Sequence, residues 1–285
     1  MLTRSPRRGF TLAELMIAVV LMLIVAGAGY QLLFTTQRLV LVQAEQVNLQ
    51  SNVRGGAFVV ANELRELSTM ASGNGNQNDI VRIAPSDITY RAMRGIGFIC
   101  QIPGATQIRI GRLDFSGYRD PQPIRDSAFV FLDGNPDTDA DDTWLPLAIT
   151  NVSAGACPGT RPGITLTVSS NPSLSGLEVG TPLRIYEIMQ LKLYQSQGES
   201  WLGARSVSGR ESIQPLLGPL ADANGFEFNY LDGQGAPTAN PHAVKSIRFT
   251  VRGVSAEAVR SSGGGATRIE DELTAQVALR NAVGQ

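Results

Sequence analysis

The sequence predicts an α+β protein in which one long N-terminal helix packs on a globular domain of mainly antiparallel β-strands. Two observations carry this prediction. The first is a helix-forming segment that begins apolar at Phe10 and continues in amphipathic form to Met70. The second is a change beyond Asn78 to short segments of alternating apolar and polar residues, separated by Gly, Pro and Asn. We therefore expect the helix first and the sheet after it.

The segment from Phe10 to Phe34 is long enough to cross a bilayer. Its 25 residues contain one charged side chain, Glu14. At about 1.5 Å per residue they exceed the ~30 Å of a hydrocarbon core. Arg4, Arg7 and Arg8 precede the segment without an acidic residue. By the positive-inside rule, the N-terminus should stay in the cytoplasm and everything after the span should be exported.

Glu14 is the unusual residue of this span. A carboxylate at the centre of a membrane helix costs about 2.5–3.5 kcal/mol on insertion scales, so such groups persist where they find a partner. Two interpretations remain open. Glu14 lies at the level of the lipid headgroups, or it pairs with a positive group on a neighbouring subunit. A free amino group at Phe10 would supply that partner.

The residues Gly9-Phe10-Thr11-Leu12-Ala13-Glu14, after a basic leader and before an unbroken apolar helix, resemble the processing site of type IV prepilins. The resemblance implies that a prepilin peptidase cleaves between Gly9 and Phe10 and N-methylates Phe10. It also implies that Glu14, the fifth residue of the mature chain, acts in filament assembly. An ordinary secretory signal peptide, cleaved near the small residues 26–29, is an alternative that leaves Glu14 unexplained.

This resemblance divides the chain into four parts: a leader peptide (1–9), a transmembrane or filament-core helix (10–35), a helix continuation that packs on the globular domain (36–71), and an exported β-rich domain (72–285). The implied partners are prepilin peptidase, other minor and major pilins, and the inner membrane. We expect a single-pass inner-membrane protein before assembly, and a location in the periplasm and the surface pilus afterwards.

Motifs near the end of the chain narrow the resemblance. Leu216–Leu220, Phe226–Asp232 and Val244–Phe249 are similar to the closing strands of larger minor pilins, and Val277–Asn281 resembles the terminal strand of the PilW-like group. The implied function is that of a minor pilin in pilus assembly or initiation, or at the filament tip. Two alternatives remain: a J-class pseudopilin of type II secretion, and a surface adhesin or DNA-uptake module that uses the loops around 111–142.

The soluble part of the helix and the strands follow from periodicity. From Gln37 to Met70 apolar residues recur mostly three and four apart, which predicts a helix with one face on a domain. Gly55 and Gly56 interrupt this pattern and mark a candidate kink. The predicted strands are Ile80–Ala84, Ile88–Arg91, Gly97–Ile102, Gln107–Phe115, Ala128–Leu132, Ile164–Ser169, Leu183–Gln195, Gly225–Leu231, Val244–Val251 and Leu273–Arg280.

The two cysteines, Cys100 and Cys157, both lie in the part of the chain that is predicted to be exported. In an oxidising compartment such a pair is most simply one disulfide. It would close a loop of about 57 residues and stabilise the fold by about 4 kcal/mol through chain entropy. Two free thiols are the alternative.

One acidic segment has the composition of a cation site. Asp133, Asn135, Asp137, Asp139 and Asp141 supply oxygen ligands of the kind that Ca²⁺ takes. The segment departs from the EF-hand pattern because it has no glycine at the sixth place and no glutamate at the twelfth. A solvated acidic loop is the alternative interpretation. No other cofactor is predicted.

No enzyme is predicted. The sequence has no Gly-x-Ser-x-Gly motif, and its single histidine, His242, lies in a predicted turn. The formal net charge is −1, from 24 basic and 25 acidic residues. Without a basic excess we expect no nucleic-acid partner.

Overall fold

The structure is a computed structural model of the chain, and it describes residues 9–69, 78–133, 137, 143–169, 174, 176–222, 224–260 and 265–280. These residues form one long helix, α1 (Leu12–Arg65), and a set of antiparallel strands, which confirms the α+β prediction. The strands are β1 (Ile80–Ala84), β2 (Asp87–Gly104), β3 (Gln107–Gly111), β4 (Ser116–Gly117), β5 (Asp126–Leu132), β6 (Thr143–Cys157), β7 (Arg161–Val168), β8 (Pro182–Ser196), β9 (Glu199–Ser206), β10 (Gln214–Leu220), β11 (Phe226–Leu231), β12 (Ser246–Val254), β13 (Val259–Arg260), β14 (Ala266–Thr267) and β15 (Glu270–Ala278).

The chain forms two compact units. The first unit contains the residues before Leu49 together with Ser255–Ile269. Its part of α1 is exposed along its whole length, apart from three half-buried side chains at Arg38, Val42 and Glu45. These three lie on one face of the helix because they are spaced four and three residues apart. The short β13–β14 hairpin belongs to the same unit.

In the second unit, six antiparallel strands close into a ring. β8 pairs with both β2 and β5, and the ring continues from β5 through β6, β7 and β3 back to β2. β2 and β6 are each long enough to pair with one strand along the first part of their length and with another along the second part. This change of partner lets the sheet curl and close. One apolar cluster takes side chains from all six strands, among them Ile99, Ile108, Val130, Leu147, Leu166 and Leu183, each at most 2% exposed.

Five further strands, β9 to β12 and β15, extend from this ring as a sheet, on which the second half of α1 packs. From β8 the order is β9, β10 and β12, and β12 also pairs with β11 and β15. The helix buries Leu49, Val53, Ala57, Val60 and Leu64, each at most 4% exposed. Their spacing of three and four residues places them on one face, as the amphipathic pattern predicted.

Gly55 and Gly56 do not interrupt α1, which continues through both residues. Gly56 is instead a point of close packing, because a Cβ built there would lie 2.6 Å from the side chain of Leu217 on β10. Next to it, Asn52 donates a hydrogen bond to the Gly218 carbonyl at 2.7 Å. At Gly55 a Cβ would meet nothing within 4 Å. The predicted kink is therefore absent, and Gly56 instead lets the helix pack closely against the sheet.

The helix ends at Arg65, earlier than the predicted continuation to residue 71. The residues after it bond to the sheet and leave the helical conformation. The Ser68 amide donates to Asp79 Oδ2 at 2.8 Å, and the Thr69 hydroxyl donates to the Val244 carbonyl at 2.6 Å. Residues 70 and 71 lie outside the described residues.

The strands predicted from alternation are largely confirmed, and that pattern missed three longer strands. β1 has the predicted bounds, whereas two predicted strands merge into β2 because β8 pairs along most of its length. β3 ends at Gly111, four residues before the predicted end at Phe115. The missed strands β6, β9 and β10 carry proline, glycine or serine within them, which weakens the alternation that sequence analysis uses.

Candidate functional site

The N-terminus of α1 is closed by a reciprocal cap between Thr11 and Glu14. The Thr11 amide and hydroxyl both donate to Glu14 Oε2 at 3.0 Å, and the Glu14 amide donates to the Thr11 hydroxyl at 3.3 Å. Because α1 begins at Leu12, Thr11 is the N-cap and Glu14 the third helical residue. This is the capping-box arrangement, which satisfies amide groups that have no partner within the helix.

The cap fixes the position of the Glu14 carboxylate. It lies at the N-terminal end of the helix, one residue from the Phe10 nitrogen. The positive end of the helix dipole favours a negative charge there. Both bonds from Thr11 go to Oε2, so Oε1 can accept a further donor.

The bond between Gly9 and Phe10 lies in an exposed segment ahead of the helix. Phe10 is 90% exposed, and a Cβ built on Gly9 would meet no atom within 4 Å. Nothing in the described residues therefore requires a glycine at position 9. A requirement for glycine must come from a molecule that acts on the chain.

The helix that follows is long and apolar enough to cross a membrane, and none of its most apolar window is buried. Large apolar side chains are exposed on every side of it, from Leu15 through Phe34. A helix that is apolar all round needs a bilayer or other helices to cover it.

One family model matches this part of the chain. Residues 4–30 match the prokaryotic N-terminal methylation motif. The match contains Gly9, Phe10, Thr11 and Glu14, and it does not reach the β-rich unit. No curated protein and no solved structure matches the chain.

Together with the long apolar helix, the methylation motif supports a type IV pilin-like protein, a pilin or a pseudopilin in general. It implies processing by prepilin peptidase and assembly with other pilins, and it supports anchoring in the inner membrane before assembly. The motif points to a structural pilin subunit.

Thr11 is the residue of the methylation motif to which sequence analysis gave no role. The signal was present, because Thr11 and Glu14 have the Ser/Thr-x-x-Glu spacing of a capping box directly before an apolar run. The resemblance implied a role for Glu14 only in contact with another chain. Its bond within the chain comes from local helix chemistry.

Cys100 and Cys157 form the predicted disulfide, with their Cα atoms 5.7 Å apart. Cys100 lies on β2 and Cys157 at the end of β6. In the ring these two strands are separated by β3 and β7, so the bond crosses two intervening strands. It holds the curled end of the ring closed.

The predicted cation ligands fall mostly outside the described residues. Asp133 and Asp137 are described and exposed, whereas Asn135, Asp139 and Asp141 are not among the described positions. Within the described part of the chain, no group of three or more His, Cys, Asp or Glu side chains could hold a metal ion. His242 lies exposed in a 3₁₀ turn (Pro241–Ala243), with Nδ1 3.5 Å from the side-chain nitrogen Nδ2 of Asn78.

The second unit contains a buried ionic cluster that sequence analysis missed. We call it the Glu187 cluster, and it consists of Glu187, Asp126, Arg94, Arg119 and Arg125. Both carboxylates are fully buried. Glu187 accepts from Arg125 at 2.6 Å, from Arg94 at 2.8 Å and from Arg119 at 3.2 Å, while Arg119 also pairs with both oxygens of Asp126.

The Glu187 cluster joins segments that are distant in sequence. Glu187 lies on β8, Asp126 on β5 and Arg94 on β2, while Arg119 and Arg125 belong to the loop between β4 and β5. Nη1 of Arg94 also lies 3.7 Å from Oε1 of Glu63, which belongs to α1. The cluster thus fixes that loop to the ring.

The pKa of Glu187 reflects two opposing effects. Burial raises the pKa of this carboxyl, but hydrogen bonds from Ser206 and Arg94 and the positive charges of Arg94 and Arg125 outweigh burial. The net result is a pKa below the ordinary glutamate value. Asp79 shows the reverse balance, because burial raises its pKa more than Arg184, the Ser68 amide and Arg91 lower it.

Proposed function

We propose that this chain is a minor pilin of a type IV pilus, of the PilW-like group. It is cleaved after Gly9, is N-methylated at Phe10, and acts in pilus assembly or initiation, or at the filament tip. The β-rich domain reaches the periplasm during assembly and the cell surface with the filament.

The observation that carries this proposal is the continuity of the methylation motif with an exposed apolar helix. The motif ends at residue 30, within α1, and the helix continues to Arg65 as one element. Before assembly the bilayer covers the apolar part. On leaving the bilayer, that surface needs other helices, which a filament core of the same construction provides.

Glu14 supplies the recognition step in this proposal. Cleavage frees an amine at Phe10 of each subunit, and the Glu14 carboxylate of a neighbour carries the complementary charge. In a low-dielectric surrounding, such a pair attracts strongly and an unpaired carboxylate is costly. Pairing therefore favours addition of a subunit in one register.

The assignment to the minor pilins rests on the resemblance of the closing strands. The first three of these segments fall on β10, β11 and β12, and the last one overlaps the end of β15. β12 and β15 pair in unbroken register from Ser246 with Ala278 to Val254 with Glu270. This hairpin fits the closing arrangement that the resemblance implies.

The experiment is to follow the chain in sheared surface filaments and in membranes, with and without prepilin peptidase. The proposal predicts the processed chain in the sheared fraction, at low abundance beside a major pilin, and its loss from that fraction without the peptidase. A processed chain that stays in membranes and is required for protein secretion would instead identify a type II secretion pseudopilin.

A second proposal concerns the acidic segment. We propose that Asp133, Asn135, Asp137, Asp139 and Asp141 bind Ca²⁺, because their oxygen atoms suit a hard cation. Adding Ca²⁺ to the detergent-solubilised protein should raise its melting temperature, whereas Mg²⁺ at the same concentration should not. An unchanged melting temperature at millimolar Ca²⁺ would leave these residues as a solvated loop.

A further inference from the structure

A cavity of about 340 Å³ lies within the first unit, beside the exposed stretch of α1. The helix contributes Phe34, Arg38, Leu41 and Glu45 to its lining, and the segment that enters β13 contributes Glu257 and the first strand residue, Val259. The lining is apolar at three of these positions and charged at the other three. It combines one cation with two carboxylates.

The cavity lies where the apolar part of the helix ends. Phe34 closes the apolar segment that starts at Phe10, and Arg38 is the first charged residue after Glu14. The helix rises about 10 Å from Arg38 to Glu45. In the membrane-anchored protein the cavity therefore faces the headgroup layer of the leaflet opposite the leader, with Arg38 nearer to the hydrocarbon than Glu45.

We propose that this cavity binds the headgroup of a zwitterionic aminophospholipid from that leaflet. Arg38 takes the phosphate, and Glu45 and Glu257 take the primary ammonium group. Phe34 contacts the glycerol and the first methylenes of the acyl chains, whereas Leu41 and Val259 contact the methylenes that join the phosphate to the ammonium group. The inference rests on the membrane anchoring that the proposed function includes, and not on entry into a pilus.

The order of the charges along the helix carries the assignment. In a bilayer the acyl chains lie deepest, the phosphate lies above them, and the amine is closest to water. Phe34, Arg38 and Glu45 follow in the same order along α1. Arg38 and Glu45 are also among the three half-buried side chains on this part of the helix, so they lie on the covered face.

The charge balance distinguishes between lipid classes. Two carboxylates and one guanidinium give the lining an excess of one negative charge, which disfavours an anionic headgroup that lacks an amine. A primary ammonium donates hydrogen bonds to carboxylates. A trimethylated ammonium has no N–H to donate, so phosphatidylcholine should bind less well than phosphatidylethanolamine.

The test is native mass spectrometry of the full chain, released from mixed micelles that contain equal amounts of phosphatidylethanolamine, phosphatidylcholine and phosphatidylglycerol with identical acyl chains. The unaltered chain should retain about ten times more phosphatidylethanolamine than phosphatidylcholine. One charge-assisted hydrogen bond gives a ratio of this size. Glu45→Gln should lose this preference, and Arg38→Gln should retain less of all three lipids. Arg54→Gln and Glu66→Gln, exposed positions outside the cavity, are the matched controls.

Three results would overturn the proposal: equal retention of the ethanolamine and choline lipids, preferred retention of phosphatidylglycerol, or an unchanged preference in Glu45→Gln. The same spectra show whether the chain starts at Met1 or Phe10. An unprocessed chain would argue against the proposed pilin role and would still report on the lipid. The two failures are therefore distinguishable.

Discussion

The Glu14 carboxylate lies 3.0 Å from the amide nitrogen of Thr11, the residue next to the amine that cleavage would free on Phe10. The capping bonds do not involve Gly9 or the leader, so cleavage leaves them intact. Glu14 therefore has two separable properties. It caps its own helix through an acceptor oxygen, and it carries a charge that is available to a neighbouring chain.

Replacement of Glu14 separates these two properties. Glu14→Gln keeps an acceptor for the Thr11 amide and removes the charge, whereas Glu14→Ala removes both. If charge pairing drives assembly, both variants should be cleaved normally and both should enter sheared filaments poorly. Normal entry of Glu14→Gln would mean that capping alone explains Glu14. Immunoblots of sheared and membrane fractions measure this.

Replacement of Gly9 tests the processing step alone. Gly9→Ala should block or slow cleavage although an added Cβ meets no atom of the chain within 4 Å. The reason is that the glycine is required by the peptidase and not by the fold. Co-expression with prepilin peptidase, followed by mass measurement, gives the cleaved fraction. Gly29→Ala, equally free of contacts, is the control and should be cleaved normally.

The neighbouring glycines of α1 should respond in opposite directions. Gly56→Ala should lower the free energy of unfolding by about 1–3 kcal/mol, because its Cβ would overlap buried Leu217. Gly55→Ala has open space and should raise it by about 1 kcal/mol. Urea unfolding followed by tryptophan fluorescence compares them. Equal effects at both positions would contradict the packing of α1 on β10.

The disulfide should contribute about 4 kcal/mol to the free energy of unfolding, because it closes a loop across 57 residues. Cys100→Ser with Cys157→Ser should lower this free energy by that amount and make it insensitive to reductant. The unaltered protein should lose the same amount on reduction. A loss well below 1 kcal/mol would show that ring closure does not depend on the bond.

The pH dependence of stability should carry opposite contributions from Glu187 and Asp79. The lowered pKa of Glu187 gives stability that is present above the ordinary glutamate pKa and is lost as pH falls through the lower folded value. The raised pKa of Asp79 gives stability that is present at low pH and is lost as pH rises through the higher folded value.

Urea unfolding between about pH 3 and pH 7 measures both contributions. The stability difference between the unaltered protein and Glu187→Gln should grow as pH rises, and the difference for Asp79→Asn should shrink. At neutral pH Glu187→Gln should cost about 3–5 kcal/mol, because it leaves partly buried arginines without their shared partner. If the two differences changed with pH in the same direction, the assigned pKa directions would be contradicted.

The sequence pattern predicted those features of the fold that depend on interactions between neighbouring residues in the chain. The apolar run of α1 and the short β-branched segment of β1 are each recognised within a few residues, and both were found where they were predicted. The ring was not predicted because its closure depends on which strands pair. β8 lies between β2 and β5, and neither is its neighbour in the chain. No alternation pattern specifies such a pairing.

The candidate site shows the same division. Gly9, Phe10 and Glu14 could be predicted as site residues because they lie within six consecutive residues, and the Thr11 cap was within reach of the same segment. The Glu187 cluster could not be predicted, since its members are spread from Arg94 to Glu187 and nothing in the sequence indicates that they pair. The end of α1 at Arg65 was also missed, because bonds from Ser68 and Thr69 to distant strands override helix propensity.

The N-terminal sequence and intact mass of the chain, recovered from sheared filaments and, separately, from membranes, show whether it is a processed pilus subunit. We predict a chain that begins at methylated Phe10 in the sheared fraction. A chain that still begins at Met1 in both fractions would contradict this prediction, and the protein would then be a plain membrane anchor for its β-rich domain.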